Sequence, residues 1–213
     1  MANANLPRGL TPVGNMIASD FNEQGNLYCI PTDASNTYAI GDVVMAAAGV
    51  DSNGVKNVQK WGGNTTTSAM PVGIIVGIRV ADPGVSLVGT SLSLEKSYIG
   101  LSAGTRYVYV IDDPSVLFVI QCDSTALTTT TAGYNFAVTV TANQTTLSTT
   151  APFSSIVATS PATTATLPIC SLGLYQTSDN AVGAYARILG RWNYHAYAPI
   201  ACASGTVSNF TAV

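Results

Sequence analysis

Residues 100–104 read Gly-Leu-Ser-Ala-Gly. Gly-x-Ser-x-Gly is the pattern of a nucleophile elbow, in which a serine sits on a sharp strand-to-helix turn. The chain holds one histidine, His195, downstream of several aspartates. Ser102, an aspartate such as Asp123 or Asp179, and His195 therefore supply the residue types of a serine-hydrolase triad. A second candidate is the adjacent pair Asp112–Asp113. General acid–base catalysis needs groups that face one substrate, and neighbouring residues of a strand point to opposite faces. Four cysteines stand at 29, 122, 170 and 202. None has Cys-x-x-Cys spacing and none has a histidine beside it, which argues against a zinc site. One histidine and no acidic cluster leave little for a first-row metal. No Gly-rich phosphate loop precedes a helix. The residues thus predict no enzyme and no cofactor.

The elements around Ser102 decide against the elbow. A helix must follow the serine, so that backbone N–H groups form an oxyanion hole. Here Gly104 is followed by "TRYVYVI", a strand sequence. His195 lies in "RWNYHAYAP", among aromatics, where a packed structural histidine is expected. Serine hydrolysis through Ser102 and His195 is kept only as a remote alternative.

The strand signals run through the chain. "NLYCI" (26–30), "YAIGDVVMAA" from Tyr38, "VGIIVGIRV" (72–80), "RYVYVID" (106–112), "VLFVIQC" (116–122), "YNFAVTVTA" (134–142), "LPICSLGLY" (167–175) and "AYARILGRW" (184–192) are rich in Val, Ile, Tyr, Phe and Thr. Gly, Pro, Asn, Asp and Ser clusters separate them. The pattern predicts an all-β fold, a jelly-roll-like β-sandwich or, alternatively, a small β-barrel. "DDPS" at 112–115 predicts a hairpin turn between the fourth and fifth of these runs. Residues 26–213 are expected to form a single β domain, with Thr/Ser-rich loops around 124–167. Residues 1–25 carry prolines, glycines and scattered apolar side chains. They are expected to form an extended N-terminal arm that buries Leu6, Leu10, Val13, Ile17 and Phe21 against another subunit.

Charged residues make up only 9% of the chain and the net charge is −3, against ~25% charged in ordinary soluble domains. No Lys/Arg run provides a phosphate-tracking surface, so no nucleic-acid partner is expected. The apolar run "PVGIIVGIRVA" (71–81) is shorter than the ~20 residues that span a bilayer. The N-terminus lacks the basic and apolar regions of a signal peptide. No membrane partner is expected, and assembly in a cytoplasm is. A weakly charged surface suits a protein that lives against other protein.

The opening "NLPRGL" (5–10), with "YAIGDVV", "PVGIIVGI", "RYVYVIDDPSVLFVIQ", "LPICSLGLY" and "ARILGRWNYH", resembles a family of tailed-bacteriophage head proteins known as decoration, cement or minor capsid proteins. The resemblance covers most of the chain and is weakest in the Thr-rich middle. It implies a structural virion protein on the outer surface of an icosahedral head, made in the host bacterial cytoplasm, that stabilises capsomer junctions. The implied partners are the major capsid protein and copies of the chain itself, as dimer or trimer. With the arm as a clamp, the expected contact residues are Leu6, Arg8, Leu10 and Ile17, Arg8 being the charged anchor. The rival readings are a head-fibre or tail receptor-binding protein and an exported adhesin.

Overall fold

A computed structural model describes residues 3–17, 21–22, 24–33, 35–63, 69–79, 98–99, 105–125, 127–141, 144 and 153–198. The strands are β1 (Thr11–Asn15), β2 (Asn26–Ile30), β3 (Tyr38–Ala39), β4 (Val43–Val50), β5 (Lys56–Lys60), β6 (Pro71–Arg79) and β7 (Tyr98–Ile99). They continue as β8 (Arg106–Ile111), β9 (Val116–Gln121), β10 (Asn135–Thr139), β11 (Val157–Ala162), β12 (Ile169–Leu174) and β13 (Arg187–Trp192). The fold is all-β, as the sequence predicts. Strands β1-β9-β13-β12-β10-β11 form one sheet, β2-β5-β4-β6-β8 close into a barrel, and β3 pairs with β7. Two packed β layers are consistent with a sandwich.

Two cores follow from strand alternation, because successive side chains of a strand point to opposite faces. Val44, Val58, Val72, Ile75, Val108 and Val110 fill the barrel, together with Tyr28 and Ile30. Their neighbours Val43, Ile74 and Ile111 face the other way, into a second core shared with Phe118, Ile120, Ile169, Ile188 and Trp192 of the large sheet. That second core joins the two layers. Each fully buried side chain of this size contributes roughly 1.5–3 kcal/mol.

The expected hairpin at 112–115 does not form. β8 pairs with β2 on one side and β6 on the other, whereas β9 pairs with β1 and β13. Both edges of each strand are taken by distant partners, so "DDPS" is a corner between layers. Its two aspartates diverge accordingly. Asp112 accepts hydrogen bonds from Tyr28 and Asn26 of the barrel, and Asp113 from Asn15 and Ser115 beside the sheet.

The described residues of the expected extended arm are in part built into the fold. Thr11–Asn15 is an outer strand of the large sheet, in register with β9 apart from an irregularity between Pro12 and Gly14. Leu10 is 1% exposed within the joining core, and Phe21 packs against that core. Burying Leu10 and pairing Thr11–Asn15 recovers free energy that an isolated arm forgoes. The Thr/Ser-rich stretch likewise contains β11, and a 3-10 turn at Thr131–Gly133.

Candidate interaction surface

A buried polar knot lies beside the place where the N-terminal segment meets the barrel. Asp42 and Lys60 are 0% and 8% exposed, and Lys60 Nζ lies 3.1 Å from Asp42 Oδ2. Lys60 Nζ also donates to the Thr37 carbonyl at 2.7 Å. Gln144 Nε2 donates to both carboxylate oxygens of Asp42, at 3.1 and 3.0 Å. Ser154 Oγ and the Ala39 amide complete the set. Burial pushes the Asp42 carboxyl up and the Lys60 amine down, while their mutual attraction and these hydrogen bonds pull both back. With every partner in place, the pair is a fixture of the fold.

Backbone threads past this knot. The Leu10 amide donates to the Gly41 carbonyl at 2.9 Å, and the Gly41 amide donates to the Ile75 carbonyl at 2.8 Å. Gly41 has φ +90°, and a Cβ there would lie 2.1 Å from the Arg8 carbonyl oxygen. Gly9, at φ +67°, approaches Gly41 as closely from the other side. Two glycines thus let the N-terminal backbone lie directly on the turn before β4.

The remainder of the segment is fastened to the large sheet. Asn3 Nδ2 donates to the Ala181 and Ala184 carbonyls, both at 2.8 Å. Gln121 bridges the Ala4 carbonyl and the Leu6 amide, at 2.6 and 3.1 Å. The Met16 amide donates to the Ser115 carbonyl at 3.0 Å. This fastening leaves four large apolar side chains outside: Leu6 is 70% exposed, Val13 39%, Met16 55% and Ile17 86%. A groove of about 550 Å3 runs beside the first two, lined by Leu6, Arg8, Val13, Val119, Tyr175 and Arg187. The Arg8 guanidinium stacks over the Phe153 ring, 4.9 Å from its centroid.

The four expected contact residues therefore separate. Leu6 and Ile17 are presented to solvent, Arg8 is exposed on Phe153, and Leu10 sits in the core with no surface to offer. Met16 joins the exposed set. Its signal was an apolar pair, Met16–Ile17, in a stretch otherwise rich in Gly, Asn and Ser.

Of the residues named for hydrolysis, the described ones have separate partners. Ser102 and its "GLSAG" lie outside the described residues. Asp123 accepts from Thr159 Oγ1 and the Thr125 amide, at 2.6 and 2.8 Å, and Asp179 is paired with Arg187. The carboxylates that act on His195 are Asp112 and Asp113. His195 is 1% exposed, with its ring against Trp192 and Tyr197. Burial holds its imidazole down to about 4, against the pull of those aspartates and the Val72 carbonyl. Burial also pushes the Cys122 thiol up to about 12, which makes it a poor nucleophile. Among the described residues no group of His, Cys, Asp or Glu is placed to hold a metal ion. Among them, too, no helix is long and apolar enough to cross a membrane. Set beside known protein families, curated protein sequences and solved structures, the chain matches none.

Proposed function

We propose that this chain is a structural virion protein of the decoration or cement type, bound to the outer surface of an icosahedral phage head at capsomer junctions. It acts there without catalysis, cofactor, nucleic acid or membrane. Its partners are the major capsid protein and copies of itself. The observation that carries the reading is the row Leu6, Val13, Met16 and Ile17, exposed on a segment that is itself tied to the fold. Apolar side chains on a backbone already tied to the fold lose less conformational freedom when a partner covers them. An outer strand also offers backbone groups for pairing. The low charge reduces the cost of desolvating a broad contact. Two β layers are compatible with the jelly-roll-like sandwich that the resemblance implies, and many copies on one shell add by avidity.

The test is particle composition followed by rebinding. Purified virions that carry this chain should hold tens to hundreds of copies each, in proportion to the major capsid protein. A Leu6→Asp/Ile17→Asp double variant that keeps the wild-type circular dichroism spectrum should no longer rebind heads stripped of the protein. A handful of copies per particle favours the fibre or receptor-binding reading. Undiminished rebinding by the double variant would overturn the role of the exposed row.

A further inference from the structure

Strand β13 ends at Arg191-Trp192, and the chain continues through Asn193 and Tyr194 to His195. Three buried nitrogens here, Arg191 Nε, Trp192 Nε1 and His195 Nε2, have no hydrogen-bond partner among the described residues. All three residues line one cavity of about 450 Å3, together with Met16, Ile17, Met70 and Pro114. Arg Nε and Trp Nε1 are donors only. His195 Nδ1 accepts the Tyr197 amide N–H at 3.1 Å, so Nε2 carries the proton and is a third donor, on which the Val72 carbonyl acts without closing a hydrogen bond.

The other polar groups of the wall are already committed. Ser115 Oγ donates to Asp113, Asn193 Nδ2 to the Leu167 carbonyl and the Tyr194 hydroxyl to the Ala165 carbonyl. No carboxylate lines the cavity among the described residues. A buried donor left unmade costs roughly 1–3 kcal/mol, and three on one wall form a pattern that calls for an acceptor. The rings are fixed in place, Trp192 against Phe118 at 4.8 Å and His195 against Trp192 at 6.0 Å between centroids.

We propose that this cavity is a binding site for a peptide carboxylate carried next to apolar side chains, its oxygens on Arg191, Trp192 and His195 and its apolar part on Met16, Ile17 and Met70. The wall supplies one formal positive charge, from Arg191, and two neutral donors, while Asp112 and Asp113 also act on His195, so the site takes at most a single negative charge, as a carboxylate carries. A phosphate dianion would remain undercompensated there. The volume lies within the ~300–1,000 Å3 of small-ligand sites. The inference stands whether or not the chain sits on a virus shell.

The chain contains two tryptophans, and Trp61 Nε1 already donates to the Ala69 carbonyl at 2.7 Å. The two indole N–H resonances therefore report separately in 15N-labelled full-length protein. Titration with 4-methylpentanoate should move the Trp192 indole resonance downfield to saturation and leave that of Trp61 in place. The uncharged isostere 4-methylpentanamide should bind at least about tenfold more weakly, as should sulfate, and Arg191→Gln should weaken 4-methylpentanoate binding by a similar factor. Two tetrapeptides then separate the sources, one capped at both ends with an internal Asp beside Ile, the other ending in a free Val carboxylate. Saturable binding of either supports the site and identifies which carboxylate it takes.

A Trp192 resonance that no carboxylate moves would mean that water alone serves these donors, and would overturn the proposal. So would equal binding of acid and amide, which indicates an apolar pocket. Sulfate binding as well as 4-methylpentanoate would reduce it to a simple anion site. Failure of both peptides would remove the peptide.

Discussion

Two clusters of buried polar side chains in this molecule are finished differently. At the knot, Asp42 receives hydrogen bonds from Lys60, Gln144, Ser154 and the Ala39 amide, and Lys60 also reaches the Thr37 carbonyl. At the end of β13, Arg191 Nε, Trp192 Nε1 and His195 Nε2 find no acceptor among the described residues. Burial alone does not separate them, since Asp42 is 0% and His195 1% exposed. Satisfaction does. A closed polar network in a low-dielectric interior fixes one arrangement of the chain, here the turn before β4 against Lys60, Gln144 and Ser154. An open one keeps unused hydrogen-bonding capacity, which a ligand can claim. Buried polarity thus marks architecture where it is complete and a candidate site where it is not.

The strongest way to break that contrast is at the knot. Asp42→Ala should lower stability by about 3–5 kcal/mol, because it strands the Lys60 ammonium in the interior. Urea unfolding at neutral pH measures this. The surviving folded fraction should keep the wild-type Trp192 indole resonance, since the knot and the cavity share no hydrogen bond. A loss under about 1 kcal/mol would show that Lys60 has another route to solvent or to a partner.

The next test uses His195 and pH. Its imidazole is held at about 4 in the folded chain, against ~6.5 in an unfolded one. The fold favours the neutral ring, so the stability contribution is fully present above the unfolded value. It is lost as pH falls from about 6.5 through about 4. That is about 2.5 pH units, equivalent to roughly 3 kcal/mol. Wild type should lose this much across the window in denaturant titrations, and His195→Gln should not. The aspartates held low, Asp113 and Asp123 among them, lose their contribution only as pH falls below the ordinary carboxylate range, which keeps the two effects apart. Parallel pH curves for the two proteins would show that His195 is hydrated.

How much of this the sequence could show depends on where the forces lie. β2 matches "NLYCI" residue for residue, and β8 and β9 are nearly as plain. In each, a Val/Ile/Tyr-rich run is long enough to declare a strand without help from the rest of the chain. β5 was missed because "KNVQK" has one apolar residue, Val58; the buried side of Lys60 is created by Asp42, eighteen positions earlier. β1 and β11 were missed because "TPVGN" and "VATSPA" have turn and loop composition, and their pairing is supplied by β9 and β10. The hairpin at "DDPS" failed for a related reason: local turn chemistry was right about a bend and silent about which strands would pair. At the cavity, Arg191, Trp192 and His195 lie within five positions at a strand end. That spacing was visible, but the absence of partners at three nitrogens is a property of packing alone.

The smallest expected effect on stability lies on the N-terminal segment, and it separates anchoring from presentation. Leu6 and Leu10 are four residues apart with the same side chain. One is 70% exposed and the other 1%, because Gly9 and Gly41 draw residue 10 against the turn before β4. Substituting Leu6 or Ile17 by Ser should therefore change unfolding free energy by no more than about 0.5 kcal/mol, as for ordinary surface positions. The segment is held by Asn3, Gln121 and the Leu10 amide, none of which these substitutions touch. Thermal and urea unfolding of the two single variants checks this directly. A loss above about 1 kcal/mol from Leu6→Ser would mean that the exposed row contributes to the fold of the single chain, and with it the argument that these side chains are held ready for a partner would fail.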